Sequence, residues 1–134
     1  MRFVIALLLL VISACSGGED LDRAEKTIDR FHLQLNAGQI DQIYAGASSD
    51  WKDATPKKES DQFLSAVRDK LGAFQSGKQA GWTVNYGTNG TIVVVQYNSR
   101  FAKGDADETF TFRNTNKASE LVGYNVNSKV FVTG

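Results

Sequence analysis

The hydrophobic pattern changes period once, near the middle of the chain. From Asp20 to Ala37 the apolar residues Leu21, Ala24, Ile28, Phe31 and Leu35 recur at three- and four-residue steps, the signature of an amphipathic helix. Gly38 stands where a helix stop belongs. A shorter helix is predicted from Gln39 to about Ala47, with Ile40, Ile43 and Tyr44 as its apolar positions. Ser48-Ser49-Asp50-Trp51 reads as a connection or the start of another short turn. Thr55-Pro56 looks like an N-cap followed by proline at the first helical position. The third helix then runs to about Leu71, with Phe63, Leu64, Val67 and Leu71 on one stripe and Gly72 ending it.

Beyond Gly72 the period becomes 2. Gly81 to Tyr86 alternates, with Trp82, Val84 and Tyr86 on one face. Gly87-Thr88-Asn89-Gly90 contains Asn-Gly, the strongest short hairpin signal. Thr91 to Phe101 is a long strand, apolar on both faces at Ile92, Val93, Val94 and Val95, and therefore central. Ala102 to Asp105 turns. Glu108 to Arg113 is a third strand with Phe110 and Phe112. Asn114 to Ala118 is a polar turn, and Ser119 to Asn127 is a fourth strand, with Val130 to Val132 as an extension. Helices followed by hairpin-linked strands imply an α+β fold: N-terminal helices packed on a curved four-stranded antiparallel meander, cone-like in form.

The 134 residues suit one domain. Lys and Arg number 15, Asp and Glu 15, a balance that gives no concentrated basic surface for nucleic acid. It gives no charge-based reason to bind anionic lipid either. A single cysteine rules out an internal disulfide.

That cysteine, Cys15, follows an apolar run from Phe3 to Ile12. The run is too short to span a bilayer and fits a signal-peptide core, with Arg2 as its positive flank. Ile12-Ser13-Ala14-Cys15 resembles the bacterial lipobox, an aliphatic residue and two small residues before the cysteine. The resemblance implies cleavage between Ala14 and Cys15 and acylation of Cys15, with chains such as palmitate. Residues 1–14 would then be a signal peptide, 15–20 the lipidated cysteine and a short tether, and 21–134 a single domain. The tether of about five residues reaches at most roughly 18 Å, so the domain is expected near the membrane. Two or three acyl chains, at about 0.8 kcal/mol per buried methylene, hold a protein there stably. Ser16, in place of an aspartate, leans towards the outer membrane facing the periplasm; the inner membrane and a Gram-positive cell surface are the alternatives.

From Phe31 to Gly72 the chain is similar to bacterial lipoproteins of unknown function with a nuclear-transport-factor-2-like, or cystatin-like, cone domain. Phe31, the Asn36-Ala37-Gly38 break, Tyr44, the stretch from Ser48 to Lys52 and the closing Lys70-Leu71-Gly72 carry the resemblance. It implies a fold and carries no catalytic residue; the fold hosts enzymes, binding modules and scaffolds alike. It also often dimerises through an exposed sheet face, so a homodimer is one expectation.

Candidate chemistry is sparse. His32, the single histidine, is a general base only if it faces a pocket with a carboxylate behind it. Its ordinary reading is a helix-surface histidine paired with Asp29 or a neighbour. One histidine and one cysteine leave no metal site to expect, and no cofactor is expected. Tyr44, Trp51, Tyr97 and Tyr124 are the candidates to line a ligand pocket, against ordinary packing as the alternative. Trp51 either caps the helix layer or guards the cone mouth. Asp50, Asp53, Glu59 and Asp61 among Lys52, Lys57 and Lys58 read as a solvated helix start. Asp105, Asp107 and Glu108 lack the calcium-loop pattern and read as a turn. Gly87 and Gly90 make no phosphate loop, since no lysine or helix follows.

Three functions follow as expectations. The first is a lipid-anchored, non-enzymatic envelope protein that binds a small ligand or a partner protein. The second is a SnoaL-like pocket enzyme using His32 as base, for which a buried His32 beside a carboxylate is the discriminating observation. The third is a passive envelope scaffold.

Overall fold

A computed structural model describes residues 17–116 and 118–133. The expected signal peptide, its expected cleavage site and Cys15 lie outside the described residues. Helices α1 (Gly17–Asn36), α2 (Ile40–Gly46), α3 (Ser49–Ala54) and α4 (Lys57–Leu71) come first. Strands β1 (Phe74–Gly87), β2 (Gly90–Phe101), β3 (Gly104–Asn114) and β4 (Ser119–Asn127) follow, and a last turn of helix, α5 (Val130–Thr133), closes the described chain. The sheet order is β1-β2-β3-β4 and every pairing is antiparallel. The fold is therefore α+β, an open meander with its helices on one face, compatible with a nuclear-transport-factor-2-like arrangement.

Helix α1 lies across the sheet and touches all four strands. Its buried stripe is Ala24, Ile28, Phe31 and Leu35, the spacing that the sequence prescribes. Glu19 and Asp20 in its first turn favour the positive end of the helix dipole. In the sheet, register places Val93, Val95, Tyr97, Ser99 and Phe101 of β2 beside Phe112, Phe110, Glu108, Ala106 and Gly104 of β3. This inward face meets the stripe of α1 and Leu64, Val67 and Leu71 of α4 in one core. Among the described residues no helix is long and apolar enough to cross a membrane.

Several elements differ from their predicted form. Strand β1 begins at Phe74, seven residues before Gly81, because Phe74 to Ala80 is an edge segment exposed almost throughout and has no reason to alternate. Strand β3 begins at Gly104, so Asp105 and Asp107 are outward strand residues, not turn residues. Val130 to Val132 is helical rather than a strand extension. Ser48 caps α3 by accepting from the Trp51 backbone N–H, and Thr55 is the C-cap of that helix, which leaves Pro56 at the N-cap of α4. Phe63 is 39% exposed and stands off the core, whereas Ser60 beside it is fully buried. At the β1–β2 hairpin, Gly87 pairs with Gly90, and the positive φ falls on Gly90 (110°) rather than on Asn89. A side chain at Gly90 would stand 2.9 Å from the Asn114 carbonyl oxygen, so only glycine fits.

Candidate functional site: a buried histidine–glutamate cluster

Along β3 the inward positions are Ala106, Glu108, Phe110 and Phe112. Strand period thus carries a carboxylate into an otherwise apolar row, where Glu108 is 1% exposed. Three side chains answer it. His32 Nε2 lies 2.9 Å from Glu108 Oε1. Ser99 Oγ donates to the same oxygen at 2.6 Å. Tyr124 Oη donates to Oε2 at 2.5 Å. A buried carboxylate without such donors would be very costly, and these three come from α1, β2 and β4. The cluster therefore ties the helix layer to three strands at once.

His32 is placed by helix period and held by packing. It follows Ile28 by one turn and precedes Asn36 by one turn, so all three share a side of α1. The Asn36 amide accepts from the Phe74 backbone N–H at 2.8 Å and donates to the Phe74 carbonyl at 3.0 Å. That clamp fixes the start of β1, and the Phe74 ring stacks flat on the imidazole, centroids 3.5 Å apart and planes 2° off parallel. Phe110 and Phe101 meet the same imidazole edge-on. His32 is 4% exposed. Its expected surface position and pairing with Asp29 are overturned: the carboxylate it meets is Glu108, and Phe74 covers its face.

The four aromatic candidates do not converge. Tyr124 and Tyr97 both pack against Phe110, at centroid distances of 5.0 and 6.1 Å. Burial pushes the Tyr124 hydroxyl pKa far up, and the neighbouring Glu108 adds to it. Tyr97 is half-buried; burial first, then the charges of Glu25 and Asp29, push it up to about 12. Tyr44 and Trp51 belong to the helix layer. Trp51 is buried and its indole N–H donates to Ser60 Oγ at 3.0 Å, so it caps the layer from within. Tyr44 lies beneath the Lys52 ammonium, 5.8 Å from ring centre to nitrogen. Between α1 and α2 a cavity of about 60 Å³, walled by Phe31, Gln34, Gln42, Ile43 and Leu121, holds a few waters at most.

The acidic group near α4 is surface chemistry. Lys57 pairs with Asp41 and Asp61, each at 2.6 Å, and Arg113 with Asp50 at 3.0 Å. The hydrogen bond from Lys57 and its charge hold the Asp41 carboxyl below its usual range.

From sequence Glu108 reads only as a turn or strand-start residue and Asn36 only as part of a helix break, neither as a site residue, although a signal exists for the first: two residues before Phe110 and four before Phe112, a glutamate in a strand must face the way they do.

Fold and cluster together define a helix-covered antiparallel sheet domain locked by a buried polar quartet. Residues 29–123 match the family described as a protein of unknown function, DUF3887, and the chain belongs to that family. The matched stretch contains His32, Ser99 and Glu108. A search of curated proteins finds no match.

Proposed function

We propose that this chain is a cell-envelope lipoprotein, held by acyl chains on Cys15, whose domain is a non-enzymatic module that binds a partner through its surface. The observation that carries the non-enzymatic reading is the saturation of the one plausible catalytic pair. The Glu108 carboxylate already accepts from His32, Ser99 and Tyr124. The imidazole is covered by Phe74, and side-chain exposures of 5% and 0% leave neither group open to a substrate. The cluster acts as internal cement. The lipobox-like Ile12-Ser13-Ala14-Cys15 supports the anchor, and Ser16 supports the outer membrane, facing the periplasm.

A second reading, a pocket enzyme with His32 as base, draws on one specific observation: a buried histidine does sit against a carboxylate. The two readings separate on mass. Native mass spectrometry of the full-length protein extracted gently from cells should give an acylated Cys15 and no retained small molecule. A reproducible extra mass that unfolding releases would overturn surface binding in favour of a pocket. A Cys15→Ser variant should stay as uncut precursor or become soluble; membrane fractionation identical to the parent would sink the anchor.

A further inference from the structure

We propose that the free edge of β1 pairs with itself: residues 81–87 bind the same segment of a second copy of this chain, antiparallel, and join two four-stranded sheets into one. The inference goes beyond surface binding in general. It stands on the sheet alone, whether or not Cys15 is acylated.

The order β1-β2-β3-β4 leaves two edges. The β4 edge is closed. The Ser48 N–H donates to the Leu121 carbonyl at 2.9 Å, Thr27 Oγ1 donates to the Ser119 carbonyl at 3.4 Å, and α3 packs against the strand. The β1 edge is open. Among the described residues the Asn36 clamp reaches its backbone at Phe74. Over residues 75–87 no side chain and no loop bonds to the outward N–H and C=O groups. Bare ladder groups are a template for another strand, and edges are commonly protected by charge, proline or a bulge. The first half of β1 has such protection, in Lys78 and in the register shift between Gln79 and Gly81. The second half, Gly-Trp-Thr-Val-Asn-Tyr-Gly, has none.

That half complements itself. Paired antiparallel about Val84, on a two-fold axis normal to the sheet, Trp82 meets the partner's Tyr86, Thr83 meets the partner's Asn85, and Val84 meets its own copy. Trp82, Val84 and Tyr86 lie opposite Val95, Val93 and Thr91 of β2, so all three share the inward face. The helix layer nevertheless leaves Trp82 43% and Tyr86 65% exposed. The pairing sets these two rings side by side, twice, and aromatic cross-strand pairs are stabilising. It brings no like charges opposite each other. An unrelated strand would need to supply this pattern; a second copy already carries it.

The full-length protein, extracted gently from cells, should be a concentration-dependent dimer in sedimentation equilibrium and in native mass spectra. Thr83→Lys with Asn85→Lys sets lysine opposite lysine at two places, which should raise the dimer Kd about tenfold or more. Thr83→Glu with Asn85→Lys sets glutamate opposite lysine in the same register and should hold the Kd at the parent's value or below it. Both positions are exposed, so the urea midpoints of dilute monomer should match the parent's. Thr109→Lys, outward on β3 and away from the edge, should leave the dimer intact. A chain that stays monomeric up to about 1 mM overturns the pairing, since that concentration populates even a weak complex. A dimer on which the two charge patterns act alike overturns it as well. A dimer that Thr109→Lys dissociates would lie on the outward sheet face instead, and would overturn the edge. The mass on Cys15, read in the same spectra, decides the anchor and leaves the pairing untouched.

Discussion

His32 and Glu108 stand 76 positions apart in the chain and 2.9 Å apart in the fold. No local preference brings them together; a helix turn supplies one and a strand alternation the other, and packing α1 on the sheet makes the contact. Glu108→Ala should leave the His32, Ser99 and Tyr124 donors buried without an acceptor, at about 1–3 kcal/mol for each group so stranded, which urea unfolding would register as a loss of about 3 kcal/mol or more. Glu108→Gln keeps the shape and one acceptor oxygen, and the Tyr124 oxygen can accept from the new amide. It should cost less, about 1–2 kcal/mol. Equal midpoints for the two variants would mean that neither the shape nor the acceptor oxygen that glutamine keeps contributes to stability.

The Asn36 clamp predicts a change in access. Asn36→Ala removes both hydrogen bonds to the Phe74 backbone, so the ring over His32 loses its fixed position. Stability should fall by about 1–2 kcal/mol. Since the chain has one histidine, diethylpyrocarbonate reports on it alone, and His32 should react faster in the variant. A rate equal to the parent's would show that the sheet holds Phe74 without the clamp.

What could be read from sequence follows periodicity. The stripe of α1, the central place of β2 and the bounds of β4 are all period signals, and all stand where the pattern puts them. The first half of β1 was invisible because an edge strand exposed on both faces leaves no alternation to detect. Glu108 was misread for a different reason. The pattern starts the third strand at Glu108, yet Gly104, Asp105, Asp107 and Glu108 together also read as a turn; counting the alternation back from Phe110 gives its inward position. Nothing in the sequence, however, said that His32 would be the group to meet it. That pairing depends on the angle at which α1 crosses the sheet, and no local pattern carries such an angle.

Gly72 offers a test of backbone strain against crowding. Its φ of 75° and ψ of −164° suit glycine alone, and an added Cβ would lie 3.0 Å from the Ala102 Cβ. Gly72→Ala should therefore lower the unfolding free energy by about 1–3 kcal/mol. Adding Ala102→Gly removes the contact and leaves the strained φ, so it should recover only part of the loss. Full recovery would assign the whole effect to crowding.

The two raised tyrosines make the fold sensitive to alkali. An unfolded tyrosine releases its proton near pH 10, whereas Tyr97 in the fold holds it to about 12 and Tyr124 is pushed up further. Between those values the native state binds more protons than the unfolded state, so stability falls as pH rises. The contribution is complete below pH 10 and is lost above it. Tyr97→Phe should flatten that decline, measured as the urea midpoint against pH. Tyr97 is only half-buried, so solvent screens part of the effect and Glu25→Gln should matter mainly through the proton itself. Removing that charge, and the hydrogen bond it offers Tyr97, should bring one absorbance step at 295 nm to lower pH. An unmoved step would mean that burial, with the charges of Asp29 and Glu108, holds the Tyr97 proton without help from Glu25.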